Sequence, residues 1–279
     1  MSTRPDLMQY FASMRVSKQL LPVLAILGLA ACAASPTESD SSATVPAVKD
    51  IRLDRFEWNG SLPASRAVSV RNPYGNIEAR RSNEGDVQLV GNAQQLITDT
   101  RAFAFDVKPG DSISVVVGHP DAASTDRGLD ANGRFAGRVD VVVLVPDGAQ
   151  LSLHAIHGEV KVKRLNADVV TSTIDGDMSF DTAGVIQATT LQGSILATLR
   201  GENYQKPLMF KSKTGDVTLN VPASAGLNLE LSGGRSLRVG RSGDKMRDVP
   251  SHALRMSLGH GGQDLRALSE QGTVTAEIM

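Results

Sequence analysis

Acidic residues that follow recurring glycines are the side chains whose type and spacing best suit chemistry. They are Asp86, Glu159, Asp177 and Asp216. If copies of the pattern stack, carboxylates on neighbouring strands lie about 4.8 Å apart, where they could act on a glycoside or bind calcium. Ser194 holds the same position after Gly193 and interrupts the row. We therefore expect these acids to cap backbone N–H groups at turns, and the sequence predicts no catalytic residue.

The histidines do not suggest a metal site. His154 and His157 are three residues apart, a spacing that places them on opposite faces of an extended strand. His119, His252 and His260 are isolated from one another along the chain. The sequence also lacks the Gly-x-Ser-x-Gly elbow of serine hydrolases and the Lys-Ser/Thr pair of a phosphate-binding loop. We expect neither a metal nor another cofactor.

Overall composition excludes some classes of partner. The 279 residues include 29 basic and 30 acidic side chains, which gives a formal net charge of -1. Nucleic-acid binding needs clustered positive charge, so we expect no nucleic-acid partner. Aromatic residues make up 4% of the chain and offer few stacking platforms. The single cysteine, Cys32, cannot form an internal disulfide.

One stretch of the last third is locally basic, with Arg235, Arg238, Arg241, Lys245, Arg247 and Arg255. A basic surface could contact anionic lipid headgroups or an acidic polysaccharide. The alternative is a solvated polar face without a partner.

The N-terminal 31 residues have the organisation of an export signal. Arg15 and Lys18 precede an apolar run from Leu20 to Ala31, which is too short to remain as a membrane-spanning helix. The run ends in Leu29-Ala30-Ala31-Cys32, which resembles the lipobox of bacterial lipoproteins. The resemblance implies cleavage before Cys32 and lipid on its thiol, so that the partner is a membrane reached through acyl chains. An ordinary signal peptide is the alternative.

The segment after the lipobox predicts a tether. Residues 32–50 are rich in Ser, Thr, Ala and Pro and lack aromatic side chains, as flexible linkers do. Starting at Met14 would leave a compact signal, and Met14 is a candidate for the true start. Ala33, rather than Asp, follows Cys32, which favours the outer over the inner membrane of a Gram-negative cell envelope.

Residues 51–279 predict one all-β domain. Apolar and polar residues alternate in segments such as Val68-Ser69-Val70 and Val160-Lys161-Val162, the period of a half-buried strand. Asn92 to Ala102 is interpreted as either a short helix or a loop. His119 to Gly137 is polar and glycine-rich, and we expect an exposed loop there.

A five-residue pattern recurs in this domain: glycine, a small or acidic residue, then apolar, polar and apolar residues. Its glycines are Gly75, Gly85, Gly158, Gly176, Gly193, Gly215 and Gly272. Those at 158, 176, 193 and 215 are 18, 17 and 22 residues apart. Units of this length cannot bury an apolar side alone, so we expect them to stack as a parallel β-solenoid with an N-terminal strand cap. A β-sandwich of hairpins is the alternative, because Gly-Asp pairs also mark hairpin turns.

The ordered series resembles a group of bacterial adhesin-like domains of uncharacterised function that are expected to form β-solenoids. The resemblance covers Val68 to Met279. It rests on Val145-Pro146 with the strand through Leu151 and Leu153, on the repeats, on Val221-Pro222 and on Gly259-His-Gly-Gly262. The pattern is blurred at Arg200 to Lys206 and at Arg235 to Arg255. The group has no agreed catalytic residues, so none is transferred.

These observations together predict a membrane-anchored envelope lipoprotein with a non-enzymatic, adhesin-like binding or scaffold module. We expect an envelope protein or a glycan as its further partner. A polysaccharide-acting β-helix enzyme and an accessory signalling lipoprotein are the alternatives. Outward placement of Asp177 and Asp216 in one groove would favour the enzyme.

Overall fold

The domain is all-β, as the alternation predicts. The computed structural model describes residues 50–98, 103–118 and 137–279, and within them it contains no α-helix and no closed barrel. The strands in chain order are β1 (Ile51–Ser61), β2 (Ala67–Tyr74), β3 (Ile77–Arg81), β4 (Asp86–Leu96), β5 (Ala104–Lys108), β6 (Ile113–Gly118), β7 (Arg138–Val145), β8 (Gln150–His157), β9 (Val160–Leu165), β10 (Asp168–Asp175), β11 (Met178–Thr182), β12 (Ile186–Gln192), β13 (Ile195–Leu199), β14 (Leu208–Ser212), β15 (Val217–Val221), β16 (Leu227–Gly233), β17 (Ser236–Arg241), β18 (Arg247–Asp248), β19 (Ala253–Leu258), β20 (Gln263–Ser269) and β21 (Thr273–Ile278).

The strands form two mixed sheets. Sheet A has 11 strands in the order β1-β4-β7-β3-β9-β11-β13-β15-β21-β17-β18. Sheet B has 10 strands in the order β19-β16-β20-β14-β12-β10-β8-β2-β6-β5. Apolar side chains from both sheets form one buried cluster. Two sheets that enclose one core fit a β-sandwich-like description as well as they fit a solenoid of stacked units.

Most of the described strands pair off into two-strand units, with the first strand in sheet B and the next in sheet A. Placed in sheet order, the units are β6/β7, β2/β3, β8/β9, β10/β11, β12/β13, β14/β15, β20/β21 and β16/β17. Strands of neighbouring units are parallel in both sheets, as β10 is to β12 and β11 is to β13. At each end of the series, two units have exchanged places relative to their order in the chain.

Side-chain size is matched across neighbouring units in the core. Phe180 of β11 lies beside Ala197 of β13, and Phe210 of β14 lies beside Ala188 of β12. Both alanines come from the unit between the two phenylalanines and are fully buried. The two rings therefore approach across the middle unit, with centroids 6.5 Å apart. Tight interiors need such alternation of large and small groups.

Antiparallel strands finish both ends of the sheets. At the N-terminal end, β4 pairs antiparallel with β7 and β1 with β4, while β5 pairs antiparallel with β6. Phe56 of β1 stacks on Phe105 of β5, with ring centroids 4.5 Å apart and planes 2° apart, and this contact joins the two sheets over the core. At the other end, β18 and β19 pair antiparallel with β17 and β16.

Some sequence-based expectations need correction. The interpretation of Asn92 to Ala102 as helix or loop is wrong for its first half, because β4 continues through Leu96. Ala93 and Gln95 face the core there, so the period is that of a strand. The blurred stretch from Arg235 to Arg255 contains β17, β18 and the start of β19. Residues 119–136 of the expected loop lie outside the described residues.

Candidate functional site

Six of the recurring glycines lie at the corner between the two strands of a unit, and we call them the glycine column: Gly75, Gly158, Gly176, Gly193, Gly215 and Gly272. A Cβ atom on Gly158 would lie 2.0 Å from the carbonyl oxygen of Gly75, and one on Gly176 would lie 2.0 Å from that of Gly158. Gly193 and Gly215 repeat the contact at 2.1 and 2.0 Å. Each unit can therefore approach the next only because this position has no side chain.

Gly85 has a different place. It lies in the turn between β3 and β4 with φ +80°, and a Cβ atom there would meet nothing within 4 Å. Its turn needs a left-handed backbone conformation, and no neighbouring unit approaches it.

Polar side chains three residues before several of the column glycines donate hydrogen bonds to carbonyl oxygens of the neighbouring unit. Ser212 Oγ donates to Gly193 O at 2.8 Å, and Ser269 Oγ donates to Gly215 O at 2.7 Å. Asn72 Nδ2 donates to Val139 O at 2.8 Å at the first step of the column. Sequence reasoning missed these donors, although an Asn, Thr or Ser stands three residues before five of the six glycines.

The side chains that follow the column glycines cap the next unit. Asp177 Oδ1 accepts the N–H of Ser194 at 2.7 Å, and Asp216 Oδ1 accepts the N–H of Thr273 at 2.7 Å. Asn76 Oδ1 accepts the N–H of Glu159 at 3.0 Å. The expectation that the repeat acids cap backbone amides is confirmed for Asp177 and Asp216.

The other two acids of the series have different roles. Glu159 forms an ion pair with Lys161 of β9. Asp86 opens β4, away from the column. The four carboxylates of the predicted row are therefore not brought together at one site. Asp177 and Asp216 do share the column, and the unit of Ser194 lies between them.

An open pocket of about 280 Å³ lies beside the first steps of the column. The side chain of His157 stacks on Tyr74, with ring centroids 5.4 Å apart, and its Nδ1 lies 3.6 Å from Asp175 Oδ2. Arg138 reaches the rim and pairs with Asp140. The pocket thus presents an imidazole, a carboxylate and a guanidinium, which can hydrogen bond a small polar group.

His154 is separate from this pocket, as the three-residue spacing on a strand predicts. Its two ring nitrogens each form a 2.8 Å hydrogen bond, one with Ser152 Oγ and one with Ser172 Oγ. Burial, and then the positive charge of Arg71, lower the pKa of His154. In the part of the chain that the structure describes, no group of three or more His, Cys, Asp or Glu side chains is placed to hold a metal ion.

The basic stretch of the last third is spread over the end of both sheets. Arg255 lies 2.6 Å from Glu230, and Arg238 lies 3.4 Å from Asp248. Arg241 and Lys245 are exposed near the β17–β18 turn. These cations do not converge on one position.

The lipobox residues Leu29, Ala30, Ala31 and Cys32 and the linker up to residue 49 lie outside the described residues. Within residues 50–98, 103–118 and 137–279, no helix is long and apolar enough to cross a membrane.

Comparisons with solved structures found weak similarity at low sequence identity. No family model matches the chain, and no curated protein matches it. A "putative cell adhesion protein" from Clostridium sporogenes is 12% identical, with a TM-score of 0.43, over 81% of this chain and 100% of its own. A "putative adhesin" from Bacteroides fragilis is 12% identical, with a TM-score of 0.40, over 81% of this chain and 97% of its own. A "putative adhesin" from Parabacteroides merdae is 9% identical, with a TM-score of 0.29, over 82% and 97%.

Proposed function

We propose that this chain is a lipid-anchored protein of the bacterial cell envelope whose β domain is a non-enzymatic, adhesin-like binding or scaffold module. The observation that carries the proposal is the repeated two-strand unit. Neighbouring units pair in parallel in both sheets, and the glycine column brings their corners together. We interpret this as a β-solenoid, in which each unit satisfies the backbone of the next.

Regular pairing also gives the sheets an outer surface suited to an extended partner. Residues in register on neighbouring strands form rows, such as Ser114, Ser69 and Ser152 on sheet B. Neighbouring strands are about 4.8 Å apart, so such rows repeat hydrogen-bonding groups at a fixed interval. A polysaccharide or an extended peptide segment of an envelope protein could use several of these groups at once.

The roles of Asp177 and Asp216 support a non-enzymatic module. Each carboxylate has one oxygen committed to a backbone N–H of the next unit. Such caps hold the corners of the stack together, and this accounts for the acids without a reaction.

Membrane attachment is tested through Cys32. We expect a radiolabelled or alkyne-tagged fatty acid to label the wild-type protein in a bacterial host, with recovery in membranes. Cys32→Ala should lose the label and the membrane recovery, because two or three acyl chains provide the anchor. Ala33→Asp is the matched control, since it should keep the label while moving the protein towards the inner membrane. A soluble, unlabelled wild type would refute the anchor.

The absence of catalysis is tested separately. Purified protein is incubated with envelope polysaccharides, and new reducing ends are counted over time. We expect no turnover. If the wild type released reducing ends, and if both Asp177→Asn and Asp216→Asn abolished this release, the domain would be a polysaccharide-acting enzyme and not a binding module.

A further inference from the structure

A second depression, of about 530 Å³, opens on the outer face of sheet A where β3, β9 and β11 end. We call it the basic depression. It is lined by Arg80, Arg81, Lys163, Arg164 and Asp181. Arg80 is in register with Lys163, and Lys163 with Asp181. These three side chains therefore form one row across the neighbouring strands β3, β9 and β11. Four cations therefore face one carboxylate.

The acids around the depression are already engaged by cations. Glu78 lies 2.5 Å from Arg80 and 2.7 Å from Lys163. Although burial alone would raise the pKa of Glu78, the hydrogen bonds and charges of Arg80 and Lys163 lower it, so this carboxylate is ionised at neutral pH. Asp181 pairs with Arg200 at 2.6 Å, which adds a fifth cation at the rim.

Arg81 also has an acidic partner, since it lies 2.9 Å from Asp147. Among the described residues, Arg164 has no hydrogen-bond or ion-pair partner, and its side chain is exposed. The local charge balance is positive, and one guanidinium with five N–H donors is left to bind an anion.

The backbone of Arg164 is strained. Its φ is +51°, in the left-handed region that a residue with a Cβ seldom adopts, and the register of β9 and β11 shifts at this point. Arg66 has a similar φ of +60°, but its guanidinium binds Gly148 O at 2.8 Å and the carbonyl of Asp147, which compensates the strain. Arg164 has no such compensation within the fold, as is common at functional positions.

The row that starts in the depression continues across the next two strands of sheet A, β13 and β15, with uncharged polar groups, and then reaches Glu277 of β21. Thr198 follows Asp181 in register, and Asn220 follows Thr198. Asn220 Nδ2 donates to Thr198 Oγ1 at 3.1 Å, so amide and hydroxyl groups lie side by side on the outer face. A short segment of a chain molecule anchored by an anionic group at Arg164 would meet the hydrogen-bonding side chains of Thr198 and Asn220 before it reached Glu277.

We propose that the basic depression binds the anionic groups of an acidic envelope polysaccharide, with Arg164 and Lys163 contacting a carboxylate or phosphate of the chain. This deepens the proposed function by naming the chemistry of the partner. A recessed cluster that continues into a polar row fits a hydrated chain, whereas membrane surfaces attract basic segments together with apolar side chains that insert between lipids.

The test measures binding of the purified full-length protein to oligogalacturonate by calorimetry, with the methyl-esterified, uncharged oligomer as the control ligand. We expect binding of the acid form alone, weakening as salt is raised. Lys163→Gln with Arg164→Gln should weaken binding by roughly tenfold or more, since two charge-assisted hydrogen bonds are lost. Arg241→Gln with Lys245→Gln removes the same charge elsewhere and should change affinity by less than about twofold. Equal losses of affinity in the two double variants would overturn the proposal that the basic depression is the binding site.

Two further arms separate the competing explanations. Glycerol 3-phosphate stands for a lipid headgroup, and tighter binding of it than of oligogalacturonate would overturn the polysaccharide assignment. Arg164→Gly should weaken binding while the melting temperature stays level or rises, because glycine relieves the strained backbone. Retained binding, or a fall in melting temperature, would show that Arg164 is not a binding residue of this site. Because labelling at Cys32 is measured apart from binding, failure of the anchor and failure of this site give different results.

Discussion

At the residue scale, a carbonyl oxygen occupies the space of a missing side chain at each step of the glycine column. At several steps the same oxygen also accepts a hydrogen bond from the next unit, as Gly193 O does from Ser212 Oγ at 2.8 Å and Gly215 O does from Ser269 Oγ at 2.7 Å. At these steps the carbonyl both allows the close approach of the units and accepts a hydrogen bond. A side chain at the glycine would remove both.

The first prediction concerns Gly193→Ala. The new Cβ atom would lie 2.1 Å from Gly176 O, and the residue has φ +142°. Gly176 lies at the corner between the paired strands β10 and β11, and its N–H donates to Gln192 O at 2.8 Å. Because its carbonyl cannot move away without disturbing these strands, we expect a loss of about 3 kcal/mol or more in the free energy of unfolding. Urea denaturation followed by circular dichroism would measure it.

Two other glycines separate the causes. Gly85→Ala has an unfavourable φ of +80° but open space around the Cβ atom, so we expect a loss of about 1 kcal/mol. At Gly110 a Cβ atom also meets nothing within 4 Å, and Gly110→Ala should be nearly neutral. If Gly193→Ala cost no more than Gly85→Ala, the close approach would not stabilise the stack.

The second prediction concerns pH and His154. The folded state lowers its pKa, so the unfolded chain binds a proton more readily below the usual histidine pKa of about 6.5. The free energy of unfolding should therefore decrease as pH falls from 7.5 to 5.5, and His154→Gln should reduce this decrease. Denaturation of both proteins at the two pH values would measure the difference. An equal slope in both would assign the dependence to other groups.

At the element scale, strand positions could be predicted where apolar and polar residues alternate strictly. In β9, Val160 and Val162 face the core while Lys161 and Lys163 face outward, and the sequence alone indicates this. The second half of β4 was missed because Gln95 is polar yet buried, and it accepts a hydrogen bond from Arg52 Nη2 at 3.0 Å. Because a polar amide occupies a core position, the apolar–polar alternation of the strand cannot be recognised from hydropathy there.

The candidate site shows the same division. The acids that cap the corners could be predicted, because glycine followed by Asp is a local turn pattern. The basic depression could not, because Arg80 and Lys163 are separated by 82 intervening residues and meet only through strand register. The pairing of Phe180 with Ala197 depends on register in the same way. Contacts of this kind follow from the stacking order of the units.

At the scale of the whole domain, the stacking order itself departs from chain order at both ends. The β20/β21 unit lies between β14/β15 and β16/β17, although it comes last in the chain. The β2/β3 unit lies between β6/β7 and β8/β9 in the same manner. Sequence periodicity cannot reveal such an exchange, because every unit presents similar paired edges to either neighbour.

The third prediction follows from this swapped order of units. It is tested by hydrogen–deuterium exchange of the backbone amides. Protection is lowest where a strand can separate without disturbing the rest of a sheet. β21 is the last strand of the chain, but it is held between β15 and β17, so its amides should exchange within about tenfold of those in β13. β19 lies at the edge of sheet B and pairs with β16 only, so it should exchange much faster.

The comparison between β21 and β19 discriminates between two kinds of stack. In a stack that followed chain order, the final strand would form the edge and fray first, and β21 would exchange as fast as β19. In the observed order, where the β20/β21 unit lies inside the β16/β17 unit, β21 can open only when β17 also separates from sheet A. Slow exchange in β21 together with fast exchange in β19 therefore indicates that the last unit locks the end of the domain, and equal, fast exchange in both strands would contradict it.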